Sequence, residues 1–283
     1  MSCELRAYWR GYEGENPMNA KPVVLITGAS SGIGAVYADR FAARGHDLVL
    51  VARETGRMEN LAGWLRSEAG VKVEVLRADL TDETDLMRVE ARLRDDARIG
   101  ILVNNAGMSL HGGFLDQGPE DLAKLIALNV TAVTRLAGAV APRFAEAGKG
   151  AIINLGSVVS LAPEIGLSVY GATKAFVLFL TQGLDLELGP KGVYLQAVLP
   201  SATRTEIWER SGRDVDTLPA VMETEDLVDA ALVGFDRRET VSIPPLPDAR
   251  QWQDFEAARR AMLPGFQQAR PAERYRAATT IAA

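Results

Sequence analysis

The stretch PVVLITGASSGIGAVYADRFAARG, residues 22–45, decides the fold. Its unbroken apolar run from Val23 to Thr27 reads as a strand buried on both faces. The apolar spacing from Ala35 to Ala43 reads as a helix. Between them lie Gly28, Gly32 and Gly34, spaced Gly-x-x-x-Gly-x-Gly, with Ser30, Ser31 and Ile33 at the intervening positions. A strand that runs through a glycine-rich turn into a helix opens a βαβ unit. Backbone N–H groups at the helix N-terminus then face outward to meet a pyrophosphate.

The same rhythm continues down the chain. Apolar, β-branched runs recur at Leu48 to Val51, Val71 to Leu76, Ile101 to Asn104, Ala151 to Leu155 and Val193 to Val198, with a short one at Thr240 to Ile243. Longer stretches of helical period separate them. This pattern predicts an α/β fold, an open doubly wound parallel sheet of about seven strands, Rossmann-like, with helices on both faces. Residues 21–243 are expected to form this Rossmann-like domain, 1–20 an N-terminal extension, and 244–283 a C-terminal tail belonging to the same domain. In the tail, Trp252, Phe255, Ala258 and Met262 make an apolar stripe that needs cover, from the domain's own body, from a partner subunit or by lying over the cleft beside the segment that follows Pro200. The predicted helix from Ser168 to Leu188 carries an apolar belt, Ala175 to Leu180, around its whole circumference. Two covers are then required, the sheet and a partner subunit, so a homodimer or homotetramer is expected.

Composition narrows the function. The 283 residues are 47% hydrophobic and 24% charged, within the range of globular proteins, and the net charge of −6 supplies no basic stripe for nucleic acid. Cys3 is the single cysteine, and residues 1–20 have no apolar core of a signal peptide. A cytoplasmic protein is expected, with no membrane span and no metal site. His46 reads as a turn residue and His111 as a surface-loop residue.

At the end of the second strand, about 20 residues beyond the glycine turn, dinucleotide folds place an acid that takes the ribose 2'-hydroxyl. Arg53 stands there instead and suits a 2'-phosphate, which favours NADP(H) over NAD(H). Tyr170 and Lys174, at i and i+4 of one helix, share a face. A neighbouring ammonium favours phenolate and is expected to lower the tyrosine pKa toward the range useful for proton transfer. Ser157 follows the fifth strand, at the sheet edge where ligands of open parallel sheets bind.

Taken together, Thr27-Gly28-x-x-x-Gly32-x-Gly34, Asp79-Leu80, Asn104-Asn105-Ala106-Gly107, Asn129, Ser157 and Tyr170-x-x-x-Lys174 resemble the short-chain dehydrogenase/reductase family, in its order and near its spacing, from about Lys21 to Ile243. The resemblance implies hydride transfer between nicotinamide and a carbonyl or alcohol substrate. It implies Tyr170 as general acid/base, Ser157 orienting the substrate oxygen, and Lys174 acting on both the tyrosine and the nicotinamide ribose. Asn129 is implied to hold a water of a proton relay. Asp79 and Leu80 are implied at the adenine, Asn105, Ala106 and Gly107 at the wall of the cofactor cleft, and Pro200 and Thr205 near the carboxamide. One departure is Ser201, where the family usually has glycine after the sixth strand.

The rival from another class is a catalytically silent NADP-binding sensor or scaffold. Leu110, Phe114, Leu161, Ile165, Ile207 and Trp208 are the candidate apolar lining of a substrate pocket whose ligand the sequence leaves open.

Overall fold

A computed structural model describes residues 21–276 apart from Arg213. The extension 1–20, with Cys3, lies outside the described residues. The chain divides into two compact units at the Pro244/Pro245 step.

The first unit is built on β1 (Val23–Thr27), α1 (Gly32–Ala43), β2 (Leu48–Ala52), α2 (Thr55–Ala69), β3 (Val73–Arg77), α3 (Glu83–Asp95) and β4 (Ile99–Asn104). It continues through α4 (Pro119–Ile126), α5 (Val133–Ala147), β5 (Gly150–Leu155), α6 (Ser168–Leu188), β6 (Val193–Val198), α7 (Thr224–Asp236) and β7 (Val241–Ser242). All strands pair in parallel, in the order β3-β2-β1-β4-β5-β6-β7. Alternate residues of β1 serve opposite faces, as strand geometry demands. Val24 and Ile26 pack with Tyr37 and Phe41 of α1 and Met58 of α2. Val23 and Leu25 pack with Val89 of α3 and Val140 of α5.

The chain runs from β1 outward to β3, then returns to place β4 on the other side of β1. That reversal opens a crevice beyond the carboxyl ends of β1 and β4, where such sheets bind ligands.

Two expectations need correction. The third strand begins at Val73, because Gly70 takes a left-handed conformation (φ 69°) that ends α2 and the chain straightens after it. No membrane-length apolar run was expected, yet the continuous helical stretch Pro119–Ala147, 29 residues, is long and apolar enough by length and composition. Its apolar residues Leu136, Val140 and Phe144 are buried against the sheet. In the second unit, α8 (Ala249–Ala261) buries Glu256, while Phe255 and Met262 are about half exposed. The Trp252 and Phe255 rings stack on each other at 5.5 Å.

Candidate active site

The glycine-rich turn is held from below by the strand-end turn of β4. Asn105 Nδ2 donates to the carbonyls of Thr27 (2.8 Å) and Gly28 (3.1 Å). Thr27 Oγ1 in return accepts the N–H groups of Asn105 and Ala106, both at 3.0 Å. Contact is so close that a Cβ on Gly34 would stand 2.4 Å from the Gly28 oxygen and 2.5 Å from Asn105 Nδ2. Gly28 has φ +66°, the left-handed region that lets the chain turn there. Gly34 thus shapes the turn from behind, while Gly28, Ser30, Ser31, Gly32 and Ile33 face the crevice. Thr27 opens the motif in the sequence, but its role as the acceptor that fastens the two turns emerges only in the structure. Its hydroxyl at the last position of β1 was the available signal.

The crevice is one cavity of about 870 Å³. At one end lie Arg53, Asp79 and Leu80; at the other, Ser157, Tyr170, Lys174 and Pro200; Asn105, Ala106 and Gly107 form the wall between, and Thr205 lines the cavity beside Gly32. Burial opposes ionisation of Asp79, but hydrogen bonds from Thr81 and the charges of Arg53 and Arg77 outweigh it. Its carboxyl is held below the usual range. Glu54 lines the cavity beside Arg53.

At the reactive end, Lys174 is buried and its Nζ donates to the Leu155 carbonyl at 2.7 Å. Burial pushes this amine down to about 8. Burial also pushes the Tyr170 hydroxyl up to about 12, with the Ser157 hydroxyl drawing it back in part. The expected lowering of the tyrosine pKa by Lys174 is therefore not seen. The Lys174 ammonium is tied to the Leu155 carbonyl and lies 5.8 Å from the centre of the Tyr170 ring, and low polarity around both groups favours their neutral forms. Ser157 caps the short turn Val158–Ser160, and its Oγ donates to Pro200 O at 3.3 Å.

Asn129 stands behind this cluster in a wide π-helical turn, Ala127–Ala132, that joins α4 to α5. Its side chain is fully engaged: Oδ1 accepts from Met108 N (2.9 Å), and Nδ2 donates to Met108 O (2.9 Å) and Thr173 Oγ1 (3.1 Å). The amide thereby fixes the chain after Gly107 against α6. π-turns often mark functional sites, and here the extra residue swings Asn129 inward.

Of the six apolar pocket candidates, Ile165, Ile207 and Trp208 line the cavity; Leu110, Phe114 and Leu161 do not, and Phe114 is 60% exposed. Leu167, Leu218 and Pro219 line it without having been singled out. Among the described residues, no group of three or more His, Cys, Asp or Glu is placed to hold a metal ion.

A family model for short chain dehydrogenases matches residues 22–216. The chain belongs to that family. Its fold is Rossmann-like. A short-chain dehydrogenase from Sphingobium yanoikuyae, solved in complex with NADPH, is 65% identical, with a TM-score of 0.89 over 90% of this chain and 100% of that one. A bulky-bulky ketone specific alcohol dehydrogenase from Comamonas testosteroni is 57% identical, with a TM-score of 0.85 over 91% of this chain and 99% of that one. The very-long-chain 3-oxoacyl-CoA reductase of Bos taurus is 36% identical over 72% of this chain, and that match spans 66% of the reductase's own length. For the Anas platyrhynchos reductase the share of its length is 60%. These relatives are named reductases and dehydrogenases, and the silent-scaffold alternative finds no support among them.

Proposed function

We infer that this short-chain dehydrogenase interconverts a ketone and a secondary alcohol with NADP(H), NAD(H) being the poorer cofactor. The observation that carries the reading is a single crevice with a phosphate-facing glycine turn and Arg53 at one end and Ser157, Tyr170 and Lys174 at the other. The donor set fits the cofactor: free N–H groups and two serine hydroxyls at the start of α1 for phosphates, and a guanidinium for a 2'-phosphate. When bound, the nicotinamide would supply or accept the hydride. Tyr170, protonated at neutral pH, gives its proton to the carbonyl oxygen during reduction, and Ser157 Oγ orients that oxygen. Lys174 holds the nicotinamide ribose and returns a proton toward Tyr170, with the Asn129 turn as the relay's far end.

For the substrate, a ketone flanked by two bulky groups is preferred over an acyl thioester. The Comamonas enzyme shares more identity over more of the chain than the acyl-CoA reductases do. Apolar walls at Ile165, Leu167, Trp208 and Leu218 fit such groups. Following NADPH absorbance with diaryl ketones, alkyl ketones and 3-oxoacyl thioesters tests this. Turnover confined to thioesters would overturn the ketone assignment, and no turnover with any carbonyl would overturn the reaction.

A homo-oligomer is part of the same reading. Phe176, Phe179 and Leu186 of α6 are 39%, 76% and 80% exposed, and Ile126 of α4 is 45% exposed, which supports a second copy as their cover. A cytoplasmic setting, resting on the single cysteine, completes it.

A further inference from the structure

The segment after β6 leaves the sheet at Pro200 and makes a closed excursion. Its base is pinned where Thr203 bridges Met222, with Arg204 N donating to Met222 O and Met222 N to Ala202 O, both at 2.9 Å. Within the excursion, Trp208 Nε1 donates to Thr203 O at 2.7 Å, so the one-turn helix Ile207–Arg210 and the base form one piece.

Two side chains reach this piece from opposite banks of the crevice. Arg57, in the first turn of α2 on the β2 side, places Nη1 2.5 Å from Glu206 Oε1. His111, in the loop after β4, places Nδ1 2.9 Å from the Ser211 carbonyl oxygen, which it meets as donor when that nitrogen carries the proton. β2 and β4 flank β1 on its two sides. Between the anchors, Thr205 Cγ2 lies 3.1 Å from where a Cβ of Gly32 would stand, against the glycine turn.

We propose that Arg57 and His111 are positioning residues that hold Thr205–Ser211 as a strap across the cofactor's phosphates, so that the cofactor leaves after the strap lifts. The proposal rests on the reading that NADP(H) fills the crevice. Arg57 and Glu206 side chains are 53% and 34% exposed, so their attraction is modest and screened by salt. Such a fastening holds during hydride transfer and opens at every turnover.

Mixing the NADPH complex rapidly with excess NADP+ reads the release rate. Arg57→Ala is expected to speed release about 2- to 5-fold, with most of the effect restored by Arg57→Lys. Raising salt to about 0.5 M should speed release in the parent by a larger factor than in Arg57→Ala. His111→Ala should act in the same direction and His111→Asn, which keeps a donor, less so. Parental release rates in Arg57→Ala and His111→Ala, with melting temperatures unchanged, would overturn the strap, as would release from the parent indifferent to salt. A parent chain that holds no NADPH would overturn the cofactor reading instead.

Discussion

Lys174 Nζ lies 5.8 Å from the centre of the Tyr170 ring and is bonded to the Leu155 carbonyl, not to the tyrosine. The two groups are neighbours without sharing a proton. Burial dominates both, pushing the amine down to about 8 and the phenol up to about 12. Closing that gap requires rearranged contacts or polar partners brought into the cavity.

Tyr170→Phe removes the transferable proton and little else. Ketone turnover should fall at least ~10²-fold, roughly 2.7 kcal/mol of transition-state stabilisation, while NADPH affinity stays within twofold of the parent, about 0.4 kcal/mol. Steady-state rates together with a fluorescence titration of NADPH check both halves. Near-parental turnover would remove Tyr170 from the mechanism.

Lys174 makes stability depend on pH. The folded chain releases this proton near pH 8, an unfolded chain near 10.5. Between those values the unfolded state binds more protons, so stability rises with pH from about 8 to 10.5. Tyr170 has the opposite sign: the folded chain keeps its proton up to about 12 and the unfolded chain loses it near 10, so stability falls above about 10. Lys174→Met should be inactive yet more stable at pH 7, by up to ~3 kcal/mol, and should lack the rise. Urea midpoints for parent and variant at pH 7, 9 and 10.5 decide it. Parallel profiles would count against a strained lysine.

Arg53→Ala should weaken NADPH by about 1.5–3 kcal/mol, the worth of a hydrogen bond to a charged group, and leave NADH nearly unchanged. Dissociation constants for both cofactors in both proteins measure the selectivity. Glu54 lies beside Arg53, so equal affinities in the parent would transfer ribose recognition to that carboxylate.

Two glycines should respond in opposite directions to alanine. At Gly34 the new methyl meets the Gly28 carbonyl and Asn105 amide, and overpacking of about 1–3 kcal/mol is expected together with lost NADPH binding. At Gly138, inside α5 and with nothing within 4 Å of a Cβ, alanine should stabilise by about 0.5–1 kcal/mol. Thermal melts with and without NADPH distinguish the two.

Phe179→Glu places a charge in the exposed apolar face of α6. If that face joins two copies, the variant should sediment as a monomer while the parent sediments as a dimer or tetramer. A parent that is monomeric at micromolar concentration would leave the face without this partner.

The strand rhythm and the glycine turn were legible in the chain because local apolar periodicity and backbone freedom are properties of neighbouring residues. Tyr170 and Lys174 were legible for the same reason, since helical spacing alone puts them on one face. Arg53 could be placed by its distance from the turn. The clamp of Asn105 on Thr27 and Gly28 and the bridges from Arg57 to Glu206 and from His111 to Ser211 join residues far apart in sequence. No spacing rule connects such pairs. The same holds for the pKa values: the chain placed an amine and a phenol four residues apart, which suggested attraction between charges, but the sheet and helices packed around them decided how much water they keep. Sequence therefore determined which groups are available and on which element each lies. Tertiary structure decided their solvation and partners, because desolvation depends on every atom that closes over a group, wherever it sits in the chain.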